Sequence, residues 1–306
     1  MIDKILVTGA TGYVGRNFVF YLLEKGYEVY ITVRDSSNTD LFEYVKDKIH
    51  LVYIGPKVTA DSLSEDICRI KPDVVVHLAS LYITEHNSSD IESIVDANIL
   101  FGTQLLEAMD RCGCNKLVNV GTSWQHYNNA DYEPVNLYAA TKQAFLDVIK
   151  FYNKSKGIQV IDLKFFDTYG PDDNRKKIIP FLIDSVDNMQ ELLLSPGDQK
   201  INIVHIDDVM ACLELSILRL KNEVLSDVEE YAVGADEVVT LKELIGLLEA
   251  LLSRKFNIRW GGRPYRDREV MVPWNKGLRL PGWSPNVSLE EGLSKVLMKA
   301  SGKINT

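Results

Sequence analysis

Short runs of aliphatic and β-branched residues alternate with amphipathic stretches through the first half of the chain. The runs predict six strands, over residues 2–8, 28–33, 49–54, 73–78, 116–121 and 159–165. Apolar residues at helical spacing between them predict helices over residues 12–25, 63–70, 90–111 and 136–156. Strands that alternate with helices are typical of a doubly wound parallel sheet with right-handed crossovers. We therefore predict an α/β protein with a Rossmann-type sheet.

The pattern changes after Tyr169-Gly170-Pro171, where the helices become shorter and the loops longer. Clusters of glycine and proline follow at residues 261–264 and 281–285. We expect residues 1–169 to form a dinucleotide-binding domain and residues 170–306 to form a smaller α/β lobe that binds the substrate. Apolar residues at helical spacing return at residues 203–222, which we expect to rejoin the first domain, so that the two parts interleave.

Composition narrows the class of protein. The chain has 306 residues, of which 46% are hydrophobic and 25% are charged, as is usual for a globular protein in water. Its formal net charge of −9 argues against nucleic acid as a partner, because a nucleic-acid binder needs a basic face. We find no apolar run of 18 residues to span a membrane, and the immediate first strand leaves no room for a signal peptide. We expect a cytoplasmic protein without membrane contact.

The four cysteines are Cys68, Cys112, Cys114 and Cys212. Cys112 and Cys114 are too close together for an ordinary pair of metal ligands, and no second pair accompanies them. We expect no metal site, and we expect buried or incidental thiols in a reducing compartment.

Three glycines directly follow the first predicted strand. Gly9, Gly12 and Gly15 stand three residues apart, between the apolar run Ile5-Leu6-Val7 and a predicted helix. Glycines on such a turn bring backbone N–H groups against a dinucleotide pyrophosphate at the positive end of the helix. The context between strand and helix makes this motif a specific signal for a dinucleotide site.

The end of the second strand indicates which dinucleotide. Val33 lies where an acidic side chain would bind the ribose 2′-hydroxyl of NAD, and Arg34 follows it. An arginine without that acid favours the 2′-phosphate of NADP, and Arg16 offers a second positive group. We predict a preference for NADPH, with NAD as the alternative because Asp35 is near.

The candidate catalytic residues are Tyr138 and Lys142, with Thr122 at the end of the fifth strand and Ser123 as its alternate. Residues four apart share one face of a helix. We expect the ammonium of Lys142 to favour the phenolate of Tyr138, which makes the tyrosine an acid or base near neutral pH. Ligands bind outside the carboxyl ends of parallel strands, where Thr122 would hydrogen-bond the reacting oxygen. The set indicates an oxidoreductase that acts on an alcohol or ketone.

The order of these motifs is similar to that of the extended short-chain dehydrogenases/reductases of the NAD-dependent epimerase/dehydratase type. Further matching segments are His77-Leu78-Ala79-Ser80, Asn98 with its neighbours, Tyr169-Gly170-Pro171, His205-Ile206-Asp207-Asp208 and Gly282-Trp283-Ser284-Pro285. The resemblance implies that Tyr138 carries the proton, Lys142 contacts the nicotinamide ribose and Thr122 binds the substrate oxygen. It implies a cofactor site made of Gly9, Thr11, Gly12, Tyr13, Val14, Gly15, Arg34, Leu78, Ala79, Asn98, Tyr138, Lys142 and Phe165. It also implies a homodimer through the helices of residues 90–111 and 136–156.

Within this family the chain most resembles the nucleotide-sugar 4-ketoreductases, on the short connection from Thr122 to Tyr138 and on residues 179–184 and 265–271. A 4,6-dehydratase would carry an Asp-Glu pair after the catalytic threonine, where this chain has Ser123-Trp124, so the elimination lacks its acid and base. A 4-epimerase that retains NAD and a reductase of a small ketone without a nucleotide stay open as alternatives. A non-catalytic binding protein is disfavoured by the intact threonine, tyrosine and lysine.

The resemblance points to substrate contacts at Tyr82, Trp124, Asp167, Lys200 and Arg266. Arg266 lies where the family places an arginine on the substrate diphosphate, with Arg263 and Arg268 as neighbours. The chain departs from the family at two positions. Ile201 stands where relatives have a phosphate-binding arginine, with Lys200 beside it, and Asp167 stands where many have asparagine. An anion at residue 167 would repel a diphosphate unless it is turned away.

Overall fold

The computed structural model describes residues 3–186 and 191–302, so Ile2, at the start of the first predicted strand, lies outside the described residues. All six predicted strands are present. They are β1 Lys4–Thr8, β2 Glu28–Val33, β3 Ile49–Tyr53, β4 Val74–His77, β5 Lys116–Thr122 and β6 Gln159–Phe165. Their side chains are buried on both faces in the centre of the sheet, which explains the continuous apolar runs of the sequence.

A seventh strand, β11 Glu229–Val233, was not predicted from the sequence and pairs with β6. The seven strands form one parallel sheet in the order β11-β6-β5-β4-β1-β2-β3. The strand order reverses between β1 and β4, whose carboxyl ends therefore border a crevice. The doubly wound Rossmann fold predicted from the sequence is confirmed.

Helices cover both faces of the sheet. Those from the first half are α1 Tyr13–Glu24, α2 Ala60–Ile70, α3 Ile91–Val95, α4 Phe101–Cys112 and α5 Leu137–Lys156. The helix predicted over residues 90–111 is continuous in direction, but a π-helical turn at Asp96–Leu100 separates α3 from α4. Short 3₁₀ turns occupy Asp40–Lys48, Ser88–Asp90, Ser123–Gln125 and Tyr127–Asn129.

The chain leaves the sheet after β6 and later returns to it. Residues 203–222 were expected to be helical throughout, but Ile203–His205 form strand β10 and the helix α7 spans Ile206–Asn222. Strand β10 pairs with β7 Asp167–Tyr169, just beyond β6. Helix α7 packs beside α1 against the sheet. Its buried residues belong to the hydrophobic core that also contains the buried residues of β1 and α1.

The remaining elements pack around a separate hydrophobic core that contains Leu182, Leu244 and Leu293. They are α6 Ile178–Ser185, β8 Leu192–Leu194, β9 Lys200–Ile201, β12 Val239–Thr240, α8 Leu241–Leu252, β13 Ile258–Trp260 and α9 Leu289–Ala300. Two of the matching segments named above dock on each other here. Asp208 accepts hydrogen bonds from the backbone N–H groups of Asn286 and Val287, and its carbonyl oxygen accepts one from Trp283 Nε1.

The expectation for the cysteines was wrong for two of the four. Cys68 in α2 and Cys112 at the end of α4 form a disulfide, because the packing of these two helices brings their α-carbons to 4.8 Å. Cys114 and Cys212 are buried free thiols, as expected. No described helix is both long and apolar enough to cross a membrane.

Candidate active site

The turn between β1 and α1 is built from glycines that have no room for a side chain. Gly9 has φ +71°, and a Cβ there would lie 2.5 Å from the backbone nitrogen of Ala79. A Cβ on Gly15 would lie 2.2 Å from the carbonyl oxygen of Gly9. Gly12 caps α1 without any side-chain hydrogen bond, so the first N–H groups of the helix keep their hydrogen-bonding capacity. The turn fits a dinucleotide pyrophosphate, whose anionic oxygens suit such a helix end.

A buried hydrogen bond ties the ends of β1 and β4 beside this turn. Thr8 Oγ1 lies 2.8 Å from His77 Nδ1 and accepts from the backbone nitrogen of Ala79 at 3.3 Å. Burial, with the charge of Lys142, lowers the pKa of His77 to about 3. His77 is therefore a neutral structural residue at physiological pH, and it fixes the segment of Leu78 and Ala79 against the glycine turn.

Asn98 holds the next part of this segment. Its Oδ1 accepts from the Leu81 nitrogen at 2.8 Å and from Ser80 Oγ at 3.0 Å. Its Nδ2 donates to the Leu81 carbonyl and to Thr141 Oγ1, both at 3.0 Å. These four bonds use both polar atoms of the amide, so Asn98, in the π-helical turn, holds the loop after β4 against α5. The cofactor contact of Asn98 stays a prediction.

Two adjoining cavities open beyond the carboxyl ends of the strands. We call the first the tyrosine cavity; it has a volume of about 520 Å³ and is lined by Tyr138, Lys142, Thr122, Val14, Leu78 and Phe165. We call the second the arginine cavity; it has a volume of about 480 Å³ and is lined by Lys200, Ile201, Arg263, Arg266 and Trp274. Residues that line both are Tyr82, Thr84, Ser123, Trp124, Phe166, Asp167, Thr168, Lys176 and Lys177.

Tyr138 lies in the tyrosine cavity beneath the ring of Tyr82, which meets it edge-on at 5.0 Å between centroids. Burial raises the pKa of Tyr138 to about 12, and a hydrogen bond from Ser80 acts against this rise. From the sequence, Lys142 was expected to favour the phenolate of Tyr138. In this structure the loss of hydration outweighs the hydrogen bond of Ser80 and the charge of Lys177, so Tyr138 is a neutral phenol at physiological pH.

Lys142 is one turn further along α5 and is almost completely buried. Burial lowers its pKa to about 8, while Asp162 in β6 acts to raise it. An ammonium with so little hydration is available to any hydrogen-bond acceptor that enters the cavity. Its position beside Tyr138 and Phe165 fits a contact with a cofactor ribose.

Thr122 ends β5 opposite Phe165, its partner in the register of β6. Its Oγ1 accepts a hydrogen bond from the Trp124 nitrogen at 3.3 Å, and its own nitrogen donates to Gln125 Oε1 at 2.9 Å. The hydroxyl is thus oriented by the hydrogen bond that it accepts. Its own proton stays available for donation to an oxygen in the cavity. Ser123 is also buried and lines both cavities, so it stays an alternate.

Asp167 does not present an unpaired anion. Lys177 donates to its Oδ1 at 2.5 Å, and the Lys177 ammonium also lies 4.5 Å from the centroid of the Tyr82 ring. Burial acts to raise the pKa of Asp167, but the attraction and hydrogen bond of Lys177 outweigh it, and the net pKa is lowered. The repulsion expected from the departure at residue 167 is therefore compensated inside the protein. Sequence reasoning missed Lys177, because only the fold brings it to Asp167.

The cations of the arginine cavity differ in how firmly they are held. Arg266 is half-exposed and lies 3.7 Å from the Glu85 carboxylate, a loose pair that a phosphate can displace. Lys200 is exposed on the wall of the cavity, beside Ile201. Arg268 is engaged, since it donates to Glu133 at 2.8 Å and stacks on the Tyr127 ring. Of Arg266 and Arg268, Arg266 is thus the one that is free to bind an anion together with Lys200.

The candidate 2′-phosphate residue Arg34 is exposed just after β2. Within residues 3–186 and 191–302 its guanidinium has no hydrogen bond or ion pair, and its backbone carbonyl is held by Ser37. Arg16 is different, because it donates to the carbonyl oxygen of Asp172 and lies over the Tyr13 ring. Tyr13 itself is buried, with its hydroxyl bonded to the Pro171 carbonyl. The second positive group expected at Arg16 is thus engaged elsewhere.

The structure brings twelve of the twenty predicted site residues to the two adjoining cavities. Ten line the tyrosine cavity: Val14, Leu78, Tyr82, Thr122, Ser123, Trp124, Tyr138, Lys142, Phe165 and Asp167. Lys200 and Arg266 line the arginine cavity. Eight line neither and belong to the glycine turn, its supports or the end of β2: Gly9, Thr11, Gly12, Tyr13, Gly15, Arg34, Ala79 and Asn98. In the described residues no cluster of histidine, cysteine and carboxylate side chains could hold a metal ion.

Comparison with known proteins agrees with this architecture. The model of the NAD dependent epimerase/dehydratase family matches residues 5–234. The chain belongs to that family. It is 28% identical to a CDP-abequose synthase of Yersinia pseudotuberculosis over 271 residues, which cover 88% of this chain and 91% of that one. This bears out the resemblance to the 4-ketoreductases and identifies the chain as an enzyme of the extended short-chain dehydrogenase/reductase type.

Solved structures of the family share the fold across the whole chain. The UDP-glucose 4-epimerase of Thermotoga maritima with UDP-glucose has a TM-score of 0.82 at 21% identity, over 98% of this chain and 99% of that one. The dTDP-glucose 4,6-dehydratase of Streptomyces venezuelae, solved with NAD, has a TM-score of 0.83 at 22% identity, over 98% of this chain and 97% of that one. The likeness in fold thus extends beyond the Rossmann sheet to the elements around the core that contains Leu182, Leu244 and Leu293.

Proposed function

We propose that the enzyme uses NADPH to reduce the 4-keto group of a 4-keto-6-deoxy sugar linked to a nucleoside diphosphate. The observation that carries this proposal is the joining of the two cavities at Trp124, Asp167 and Lys177. The tyrosine cavity holds the proton donor, and the adjoining arginine cavity offers the cations Arg266 and Lys200 to a diphosphate. A sugar that bridges them would present its carbonyl to Tyr138.

A bound nicotinamide would supply the hydride, and the residues of the chain would do the rest. Thr122 would donate a hydrogen bond to the substrate carbonyl oxygen, and Tyr138 would give that oxygen its proton as the alkoxide forms. A phenol with a pKa raised to about 12 is protonated at neutral pH, which suits donation in the reductive direction. Lys142 would hold the ribose of the cofactor.

Two further observations support reduction over the other reactions of the family. Ser123 and Trp124 follow Thr122, so the cavity lacks carboxylates at the places where a dehydratase needs its acid and base. Arg34 is exposed and unpaired at the end of β2 within the described part of the chain, which suits a cofactor carrying a 2′-phosphate. The CDP-abequose synthase likeness makes a cytidine diphosphate sugar the first substrate to try.

The test is NADPH consumption by the purified protein with CDP-4-keto-6-deoxyglucose and with dTDP-4-keto-6-deoxyglucose, each repeated with NADH. We expect stoichiometric oxidation of NADPH with one of them. Tyr138→Phe should lose about 10²–10⁴-fold in kcat while it still binds NADPH, and Tyr44→Phe, at a 97% exposed tyrosine, is the matched control.

Two outcomes would replace the proposal. Protein that purifies with tightly held NAD and interconverts nucleotide sugars without net cofactor consumption would be a 4-epimerase. Turnover of small ketones, with no turnover of either nucleotide sugar, would indicate a reductase that does not need the diphosphate, for which Ile201 in the wall of the arginine cavity is the motivating observation.

A further inference from the structure

Lys177 is a charged residue of the site to which neither the sequence motifs nor the family match assigns a role. It precedes α6, and its side chain reaches back over the junction of the two cavities. Its ammonium donates to Asp167 Oδ1 at 2.5 Å and lies 4.5 Å from the centroid of the Tyr82 ring. The Tyr82 ring in turn meets the Tyr138 ring edge-on at 5.0 Å. A positive charge therefore stands one aromatic ring away from the proton donor.

This geometry differs from that of Lys142. Lys142 approaches Tyr138 from its own helix, whereas Lys177 and Asp167 face it from β7 and the segment before α6. Other charged or titratable groups on this side are Tyr82 from the loop after β4, Arg175 and Arg266, whose charges act on Asp167, and Lys176, which lines both cavities. The Arg175 guanidinium donates hydrogen bonds to Asp173 and to Thr168. These bonds keep Arg175 from replacing Lys177 as the hydrogen-bond partner of Asp167.

We propose that Lys177 is a positioning residue for proton transfer, whose ammonium makes the Tyr138 hydroxyl more acidic from the substrate side and whose effect is limited by Asp167. The inference rests on the proposed function for its catalytic meaning, but the charge arrangement exists without it. Two opposite charges at hydrogen-bonding distance largely cancel each other's electric field at a third group. The net field at Tyr138 therefore depends on both Lys177 and Asp167. The electrostatic contributions to the pKa of Tyr138 have these signs, with Lys177 lowering it and Asp167 raising it.

The two partners therefore predict opposite effects. Lys177→Met removes the positive charge and should make Tyr138 harder to ionise. Asp167→Asn keeps a hydrogen-bond acceptor for Lys177 but removes the negative charge, so Tyr138 should ionise more readily. Lys177→Arg keeps the charge and should behave as the wild type. A merely structural role for the pair would not give shifts of opposite sign.

The experiment is an NMR titration of the full chain labelled with tyrosine carrying ¹³C at Cζ, from pH 7 to 11.5. The Tyr138 signal is assigned by its absence in Tyr138→Phe. We expect the onset of ionisation to move up by at least about half a pH unit in Lys177→Met and down by a similar amount in Asp167→Asn. Lys255→Met makes the same change at an exposed lysine after α8, and it should leave the onset of Tyr138 ionisation unchanged.

Shifts of the same sign in both variants, no shift in either, or an equal shift in Lys255→Met would overturn the inference. If Lys177→Met does not fold, Asp167→Asn and Lys177→Arg still decide it. The titration needs no substrate, so its result is independent of the proposed reaction. Where a 4-keto sugar is reduced, the basic limb of the kcat/KM profile should move with the NMR onset. Absence of turnover on every keto sugar would defeat the proposed function and leave the titration to judge Lys177.

Discussion

Asn98 donates from Nδ2 to Oγ1 of Thr141 at 3.0 Å, and Thr141 directly precedes Lys142 in α5. The same amide binds both polar groups of the Leu81 backbone. One buried side chain thereby fixes the distance between the loop after β4 and the helix that carries the candidate catalytic pair. Changes at Asn98 should act on geometry and stability together.

Asn98→Ala should lower the free energy of unfolding by about 2–4 kcal/mol, since it leaves several buried polar groups without partners. Turnover should fall as well, because Tyr138 and Lys142 lose their fixed relation to the cavity wall. Denaturant unfolding followed by circular dichroism measures the first effect. Asn257→Ala, at an exposed asparagine, should stay within about 0.5 kcal/mol of the wild type. Equal stability of the two variants would show that the Asn98 bonds carry no net stabilisation.

Gly15→Ala should impair cofactor binding. The new methyl group would lie 2.2 Å from the Gly9 carbonyl oxygen, so the turn must open and the helix end must shift. We expect a loss of about 1–3 kcal/mol in stability and a marked weakening of NADPH binding, measured by fluorescence titration. Gly246→Ala is the matched control, because nothing lies within 4 Å of its added Cβ in α8. That variant should gain about 0.5–1 kcal/mol and bind NADPH as before.

Lys142→Met should stabilise the protein without cofactor while it abolishes turnover. Burial holds the pKa of Lys142 at about 8, against 10.5 for the same side chain in water. Between these values the unfolded chain binds more protons, so this lysine makes stability rise with pH from about 8 to 10.5, and below pH 8 its full penalty applies.

The variant should therefore gain about 1–3 kcal/mol at pH 7 and little at pH 11. Thermal unfolding across this pH range measures the difference. Lys255→Met, at an exposed lysine, provides the baseline. A gain at Lys142 that does not change with pH would mean that packing, and not the buried charge, is responsible.

Arg34→Ser should reduce kcat/KM for NADPH by about 10-fold or more, which is what one charge-assisted hydrogen bond to a phosphate contributes. The value for NADH should hardly change, since NADH lacks the 2′-phosphate. Arg259→Ser, at an exposed arginine of β13, controls for net charge. Equal losses for both cofactors would place Arg34 on a part that they share.

The sequence predicted what depends on local pattern. Six parallel strands appear as apolar runs because both their faces are covered, and the glycine turn and the Tyr138–Lys142 spacing are short-range features. Strand β11 escaped prediction because it begins with Glu229-Glu230. Glu230 is accommodated by Lys164 of the neighbouring strand, at 3.1 Å, and by Lys150 of α5, at 3.0 Å. Nothing near Glu230 in sequence signals these partners.

The same limit applies to pairs that the fold creates. Lys177 lies in the run Arg175-Lys176-Lys177, which by itself predicts a solvated loop. Only the fold shows that Lys177 is paired with Asp167. Cys68 and Cys112 are 44 residues apart and meet only because α2 packs on α4. The acidity of Tyr138 was misjudged for a related reason, since burial cannot be read from the spacing to Lys142.

The return of the chain to the sheet has a consequence for dissection of this enzyme. A fragment that ended at residue 169 would lack α7 and β11, and β6 would become an open edge. That edge carries Lys164 and Asp162, whose side chains in the intact chain are 1% exposed and paired with each other, while Lys164 also pairs with Glu230. The fragment would thus expose two charged side chains and an unpaired strand edge to solvent and to other copies of itself. Residues 1–169 are therefore not a unit that can be moved alone to another protein, and chimaeras of this enzyme should exchange the loops around the two cavities while they keep α7 and β11.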